Sequence, residues 1–263
     1  MTATAFEPSG APGMLDVSGT PRIPMSRLVK VELRKLADTR AGKWLLIAIG
    51  VITLLIIGIF FLTAKQSDRT FSNFMGVTAT PQGFLLPVLG ILLVTSEWTQ
   101  RTALVSFTLM PVRGRVLWAK VLAALIAGVA AIVLAMTVAS LATLVGGADD
   151  AWANIGFDDL GKFGVLQVSG VLQGLAFGLL FLNSAAAIVT YFVLPTAFTI
   201  LASLWTSIKN VQPWIDLGTS QQPLFGADHM TGEQWAQVAT STVLWVALPF
   251  VLGLVRVLRA ELK

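Results

Sequence analysis

Few residues in this chain could carry covalent chemistry. It has no Cys and a single His, so disulfides, thiolate chemistry and a histidine-based metal centre are not expected. Ser169 and His229 are the one pair that could form a serine dyad, the constellation of an intramembrane protease. His229, however, lies in a polar stretch beside Asp228 and near Gly226 and Gly232, out of reach of a mid-span serine. The segment GFDDLGKF, Gly156 to Phe163, satisfies the phosphate-loop spacing GxxxxGK. Phe163 stands where a Ser or Thr hydroxyl would meet Mg²⁺ and an apolar run comes next, so we read the match as coincidence and place Gly161 at the end of a loop. Gln167, Gln173, Asn183 and Tyr191 are polar groups within apolar sequence. They either line a path for a solute or hydrogen-bond between helices.

The elements that must position these residues are set by five charge-free runs: Trp44 to Ala64, Thr70 to Ser96, Val121 to Ala148, Phe163 to Ile208 and Gln234 to Val255. A charge at the bilayer centre costs about 2.5–3.5 kcal/mol on the insertion scale, so such runs mark membrane spans. One crossing takes about 20 residues, and the fourth run is long enough for two. The expectation is an all-α integral membrane protein with six transmembrane helices. With 55% hydrophobic and 12% charged residues, the composition agrees.

Fourteen of the eighteen Lys and Arg residues fall on one side if both termini are cytoplasmic. Only Lys65, Arg69, Lys162 and Lys209 fall outside, together with eight of the fourteen acids. By the positive-inside rule the protein is then a multi-pass protein of the cell (plasma or inner) membrane with cytoplasmic N- and C-termini. The net charge of +4 suits an anionic inner leaflet, and membrane lipid rather than nucleic acid is the expected partner for it.

Residues 1–25 are rich in Pro, Gly and Ser and are expected to be a disordered cytoplasmic tail. An amphipathic helix comes next over 26–42, with Val29, Leu33, Leu36 and Ala37 on one side and Arg27, Lys30, Arg34 and Lys35 on the other. It either lies in the inner membrane interface or is a cytosolic lead-in to the first span. The six-span domain occupies 43–256 and a short cytoplasmic tail 257–263. Between spans two and three, EWTQRTALVSFTLMPVRGRVLWAK (Glu97 to Lys120) holds an apolar stretch, Ala103 to Met110, too short to cross. Pro111 and Gly114 should stop a helix there, and Arg113, Arg115 and Lys120 should hold the next segment at the headgroup level. The stretch either docks into a groove on a soluble partner or packs against its own bundle.

This string resembles the signature of ATP-binding-cassette (ABC) type-2 transporter permeases. There a Glu ends the second span, a Thr stands in the short helix after it, and a Pro, Arg and Lys lead into the third. The counterparts are Glu97, Thr102, Pro111, Arg113 or Arg115, and Lys120, with Leu104 and Phe107 in the apolar stretch. VKVELRKL, with Glu32 and Lys35, is similar to that family's interfacial helix. Arg101 departs from the Gly that many members carry before the Thr. The resemblance spans nearly the whole chain from about residue 26. It implies the permease subunit of an exporter, paired with a second copy or a sister permease and energised by a separate ATP-binding subunit docked on 97–120. The chain itself would then be no enzyme and hold no cofactor, with ATP and Mg in the partner. The residues alone also admit an ion-coupled carrier, although no charge-free run holds an acid or base for a proton relay.

Gly170, Gly174 and Gly178 form a small-residue stripe, read as packing within the bundle over a seam between subunits. For the loop 209–233 the resemblance implies short external helices, with Trp214 to Leu217 and Thr231 to Trp235 in that part; an extended loop is the alternative. Single cysteines at Ser67, Asp158 and Gln221 should react with impermeant thiol reagents outside right-side-out cells, and those at Ser26, Gln100 and Ala260 should not. Labelling at Gln100 would overturn the topology.

Overall fold

The computed structural model describes residues 23–100, 102, 104, 108, 112–153, 156–204, 208–226 and 229–259. Among them the regular structure is helical: α1 Met25–Asp38, α2 Arg40–Thr63, α3 Phe71–Thr99, α4 Arg113–Gly146, α5 Phe157–Phe181, α6 Ser184–Leu204, the short α7 Gln212–Ile215 and α8 Leu217–Ser220, α9 Gly232–Thr242 and α10 Leu248–Arg259. A π-helical turn, Val243–Ala247, joins α9 to α10 into one long helix. Six helices are long and apolar enough to cross a membrane: α2, α3, α4, α5, α6 and the composite α9 to α10.

The amphipathic segment forms α1 and buries Val29, Glu32 and Leu36. Only Thr39 separates it from α2. Thr39 is extended (ψ 140°), and its hydroxyl accepts the Gly42 amide at 3.2 Å, capping α2. Gly42 is required there, because a Cβ would collide with the Leu36 carbonyl. The turn thus forces α1 to fold sharply away from the first span.

Helices α3 and α5 form the centre. More than half of their most apolar stretches are buried, 56% in each, against 17% for α2 and 11% for α6, which present apolar side chains outward. The central pair meets backbone to backbone. A Cβ on Gly174 would strike the Pro87 carbonyl, and one on Gly178 would sit 3.2 Å from Ile91 Cα. Gly90 answers from α3, its Cβ position 2.5 Å from the Val171 oxygen, and Gly253 brings α10 equally close to Leu179. The glycine stripe is therefore occupied inside the bundle.

Two expectations about helix ends are corrected. Gly114 does not stop a helix; it sits in the first turn of α4, where the leading amides lack intrahelical partners anyway. Gly161 does not end a loop; α5 begins four residues before it, with the Gly156 amide donating to the Asp159 carboxylate at 3.1 Å. Acids in a first turn favour helix through the dipole, which outweighs one internal glycine. The segment after α6 forms α7, α8 and a 3-10 turn over Gln222–Phe225 rather than an extended loop.

Gly174→Ala should lose about 1–3 kcal/mol or more through overpacking against Pro87. Gly164→Ala, whose Cβ would meet nothing within 4 Å, should leave the protein intact. Size-exclusion profiles and thermal melts of the two variants in detergent provide the check; equal melts would remove the close-packing account.

Candidate functional site

Four of the sequence-selected charges meet in one place. Glu32 and Lys35 lie one turn apart on α1, Glu97 stands near the end of α3, and Lys120 sits two turns into α4. Lys35 Nζ donates to Glu32 Oε1 at 2.8 Å and to Glu97 Oε1 at 2.6 Å. Lys120 Nζ lies 2.6 Å from Glu32 Oε2 and 3.2 Å from Glu97 Oε1. Each ammonium thus touches both carboxylates, closing a ring of alternating charge with no net excess. Glu32, Glu97 and Lys120 are all buried, none more than 4% exposed. Lys120 spends a further proton on the Leu93 carbonyl at 3.2 Å.

Burying single charges costs several kcal/mol each, and only mutual pairing with hydrogen bonds offsets this. Burial acts to lower the Lys35 pKa, but its hydrogen bonds to Glu32 and Glu97 prevail and hold it above the ordinary 10.5. The contribution of this ammonium is therefore complete below that value and is lost as pH rises through the higher folded one.

The ring brackets the connection between α3 and α4. Thr102 is tied to the same residue through its backbone: its amide donates to the Glu97 carbonyl at 2.8 Å. Leu104 and Thr108 are helical and exposed. Arg101, Phe107 and Pro111 lie outside the described residues. Arg113 caps the end of α10, donating to the Val257 carbonyl at 3.1 Å. Arg115 donates to the Ile23 carbonyl, and Lys120 is buried in the ring. A helix-end carbonyl, the carbonyl of Ile23 and two carboxylates are thus the partners of these three cations. Arg27, Lys30 and Arg34 remain exposed on the outer side of α1.

The polar span residues divide. Gln167 Nε2 donates to Gln82 Oε1 at 2.9 Å, and Gln82 in turn reaches Thr53 Oγ1 and the Ala131 carbonyl, so one network crosses α2, α3, α4 and α5. Gln82 and Thr53 were not singled out from sequence, although a lone amide in an apolar run is a usable signal. Asn183 is exposed and caps α6 through the Ala186 amide at 3.0 Å. Tyr191 packs edge-on against Phe177 and Phe192. Gln173 is buried, and its Nε2 has no partner among the described residues.

At the opposite end, Lys162 is fully buried against Asp158 and Asp159 at 3.2 and 3.0 Å and donates to the Gly226 carbonyl at 3.2 Å. The GxxxxGK lysine is therefore committed to its own helix and the neighbouring loop. Ser169 donates to the Leu166 carbonyl and accepts from Gln221, whereas His229 is exposed and faces Asp158 at 3.2 Å. The two share no hydrogen bond. Asp216, which sequence reasoning passed over, is completely buried and accepts from Thr199 at 2.8 Å and Thr219 at 2.6 Å, fastening α7 and α8 to α6. Compared with protein-family models and with curated proteins, the chain matches none.

Lys120→Met leaves two buried carboxylates on one ammonium and should cost about 3–5 kcal/mol. Adding Glu97→Gln restores one pair of opposite charges and should recover most of that loss. Thermal unfolding of single and double variants tests this; a double variant no better than the single would mean that the four charges do not act as a unit. Alkaline titration above pH 10.5 should destabilise the wild type more than a Lys35→Met variant.

Proposed function

We propose that this protein is the permease subunit of an ATP-driven transporter of the ABC type-2 kind, working as an exporter. Six apolar helices are compatible with a membrane transporter subunit. The observation that supports the finer reading is the closed ring of Glu32, Lys35, Glu97 and Lys120 around the connection that carries exposed, helical Leu104. A force on that connection would pass into α1, α3 and α4 together, because displacing any one of them breaks two ring contacts at buried carboxylates. Such coupling is what a subunit driven from outside its own chain requires.

In this reading a separate ATP-binding subunit seats on the connection and hydrolyses ATP with its own Mg²⁺. A second copy or a sister permease and membrane lipid cover the outward apolar side chains of α2 and α6. The sidedness is that of the charge distribution, with the ring on the cytoplasmic side.

Leu104→Asp together with Phe107→Asp would place unpaired charges in the docking contact, where desolvation costs several kcal/mol. Co-purification of the ATP-binding subunit and ATP-dependent transport should both fail, while the protein still inserts and its melting temperature is unchanged. Undiminished transport by this variant in cells without a partner ATPase would replace the proposal with an ion-coupled carrier.

A further inference from the structure

A groove of about 330 Å³ lies between α3, α5 and α6 and is closed on one side by α8, the helix that Asp216 fastens to α6. Its walls include Phe84, Tyr191, Phe192 and Phe225. Three of these rings form a packed series, Phe84 to Phe192 at 5.5 Å and Tyr191 to Phe192 at 4.8 Å between centroids. Into this aromatic setting comes Gln173, only 4% exposed, with its Nε2 buried and unbonded among the described residues. A buried amide donor without a partner is costly and rare, and it calls for a ligand or a functional account. The terminal torsion of Gln is soft, so the amide can turn its donor to the groove without disturbing the helix.

The backbone adds acceptors at the same place. Pro87 and Pro195 lack the amides that would bond the carbonyls four residues earlier, those of Gly83 and Tyr191, and both of these residues line the groove. The floor at Gly83 is open: an added Cβ would meet nothing within 4 Å. Apolar aromatic walls with a few convergent polar groups are the usual make-up of a small-molecule site, and this volume lies at the small end of that range.

We propose that the groove binds a compact aromatic molecule carrying a carbonyl oxygen, with the rings against Phe84 and Phe192 and the oxygen accepting from the Gln173 amide. A lipid acyl chain fits less well, since it offers no acceptor to the Gln173 amide. The site stands on this geometry and does not depend on how the protein is energised.

Benzophenone serves as the probe, being of suitable size, bearing one carbonyl and attaching to nearby C–H groups on near-ultraviolet irradiation. The full-length protein in phosphatidylcholine nanodiscs should label saturably, with adducts mapped by mass spectrometry to peptides containing residues 80–84 and 191–196. Diphenylmethane, which has the same two rings without the oxygen, should compete about tenfold less well, the factor expected for one lost hydrogen bond. Gln173→Leu should weaken labelling by about the same factor while keeping or raising the melting temperature, because it removes an orphan donor. Gly83→Val should abolish labelling by filling the groove. Labelling that rises without saturation across all lipid-facing spans would show acyl chains in the groove and overturn the site. Equal competition by diphenylmethane would overturn it too, and that result needs no variant. Either failure leaves the permease proposal untouched, since that rests on the opposite end of the bundle.

Discussion

The closed ring of two lysines and two glutamates is the constraint on which the arrangement of this protein depends. A buried ion pair between two helices can slip or break at the cost of one contact. Here every charge has two opposite neighbours, so moving any one helix breaks two ion pairs at once. The helix before the first span, the end of the second and the start of the third are thereby held as one piece. Thr102, bonded to the Glu97 carbonyl, carries that rigidity into the connection itself. The ring adds specificity of position more than net stability, because desolvation consumes much of its attraction.

Further along the spans the organising force changes from charge to close contact. Apolar side chains gain little from leaving lipid for another helix, so packing density and hydrogen bonds decide which helices associate. Glycines at 90, 174, 178 and 253 let α3, α5 and α10 approach to backbone distance, and the network through Gln82 and Gln167 ties the same region to α2 and α4. Helices α2 and α6 lack such contacts over most of their length and remain at the edge. Helix-internal prolines and an amide unbonded among the described residues lie beside this close-packed centre, and that is where the groove has formed.

Much of the architecture was legible from local chemistry. The absence of charge over each span, the amphipathic period of α1 and the second half of the long fourth run all depend on the solvent a segment must meet, which is a property of its own residues. Six spanning helices and the helix before them can be read from that alone. Glu32, Lys35, Glu97 and Lys120 could also be selected, but by resemblance and only as separate members of a helix and a loop.

Their meeting was decided by tertiary structure. A lysine at 120 reads in sequence as a headgroup anchor, since a lone ammonium belongs in water. It is buried because the Thr39 turn throws α1 back across α4 and delivers Glu32 to it. In the same way a glycine at 161 looks like a breaker until the first-turn acids of α5 claim it for a helix, and Gln173 looks like Gln167 until packing supplies a partner to one and not the other. The sequence by itself determined what each segment is, because hydropathy and period are local. Which charges pair, and which amide is left unpaired, depend on residues far apart in the chain and appear only when the helices are packed.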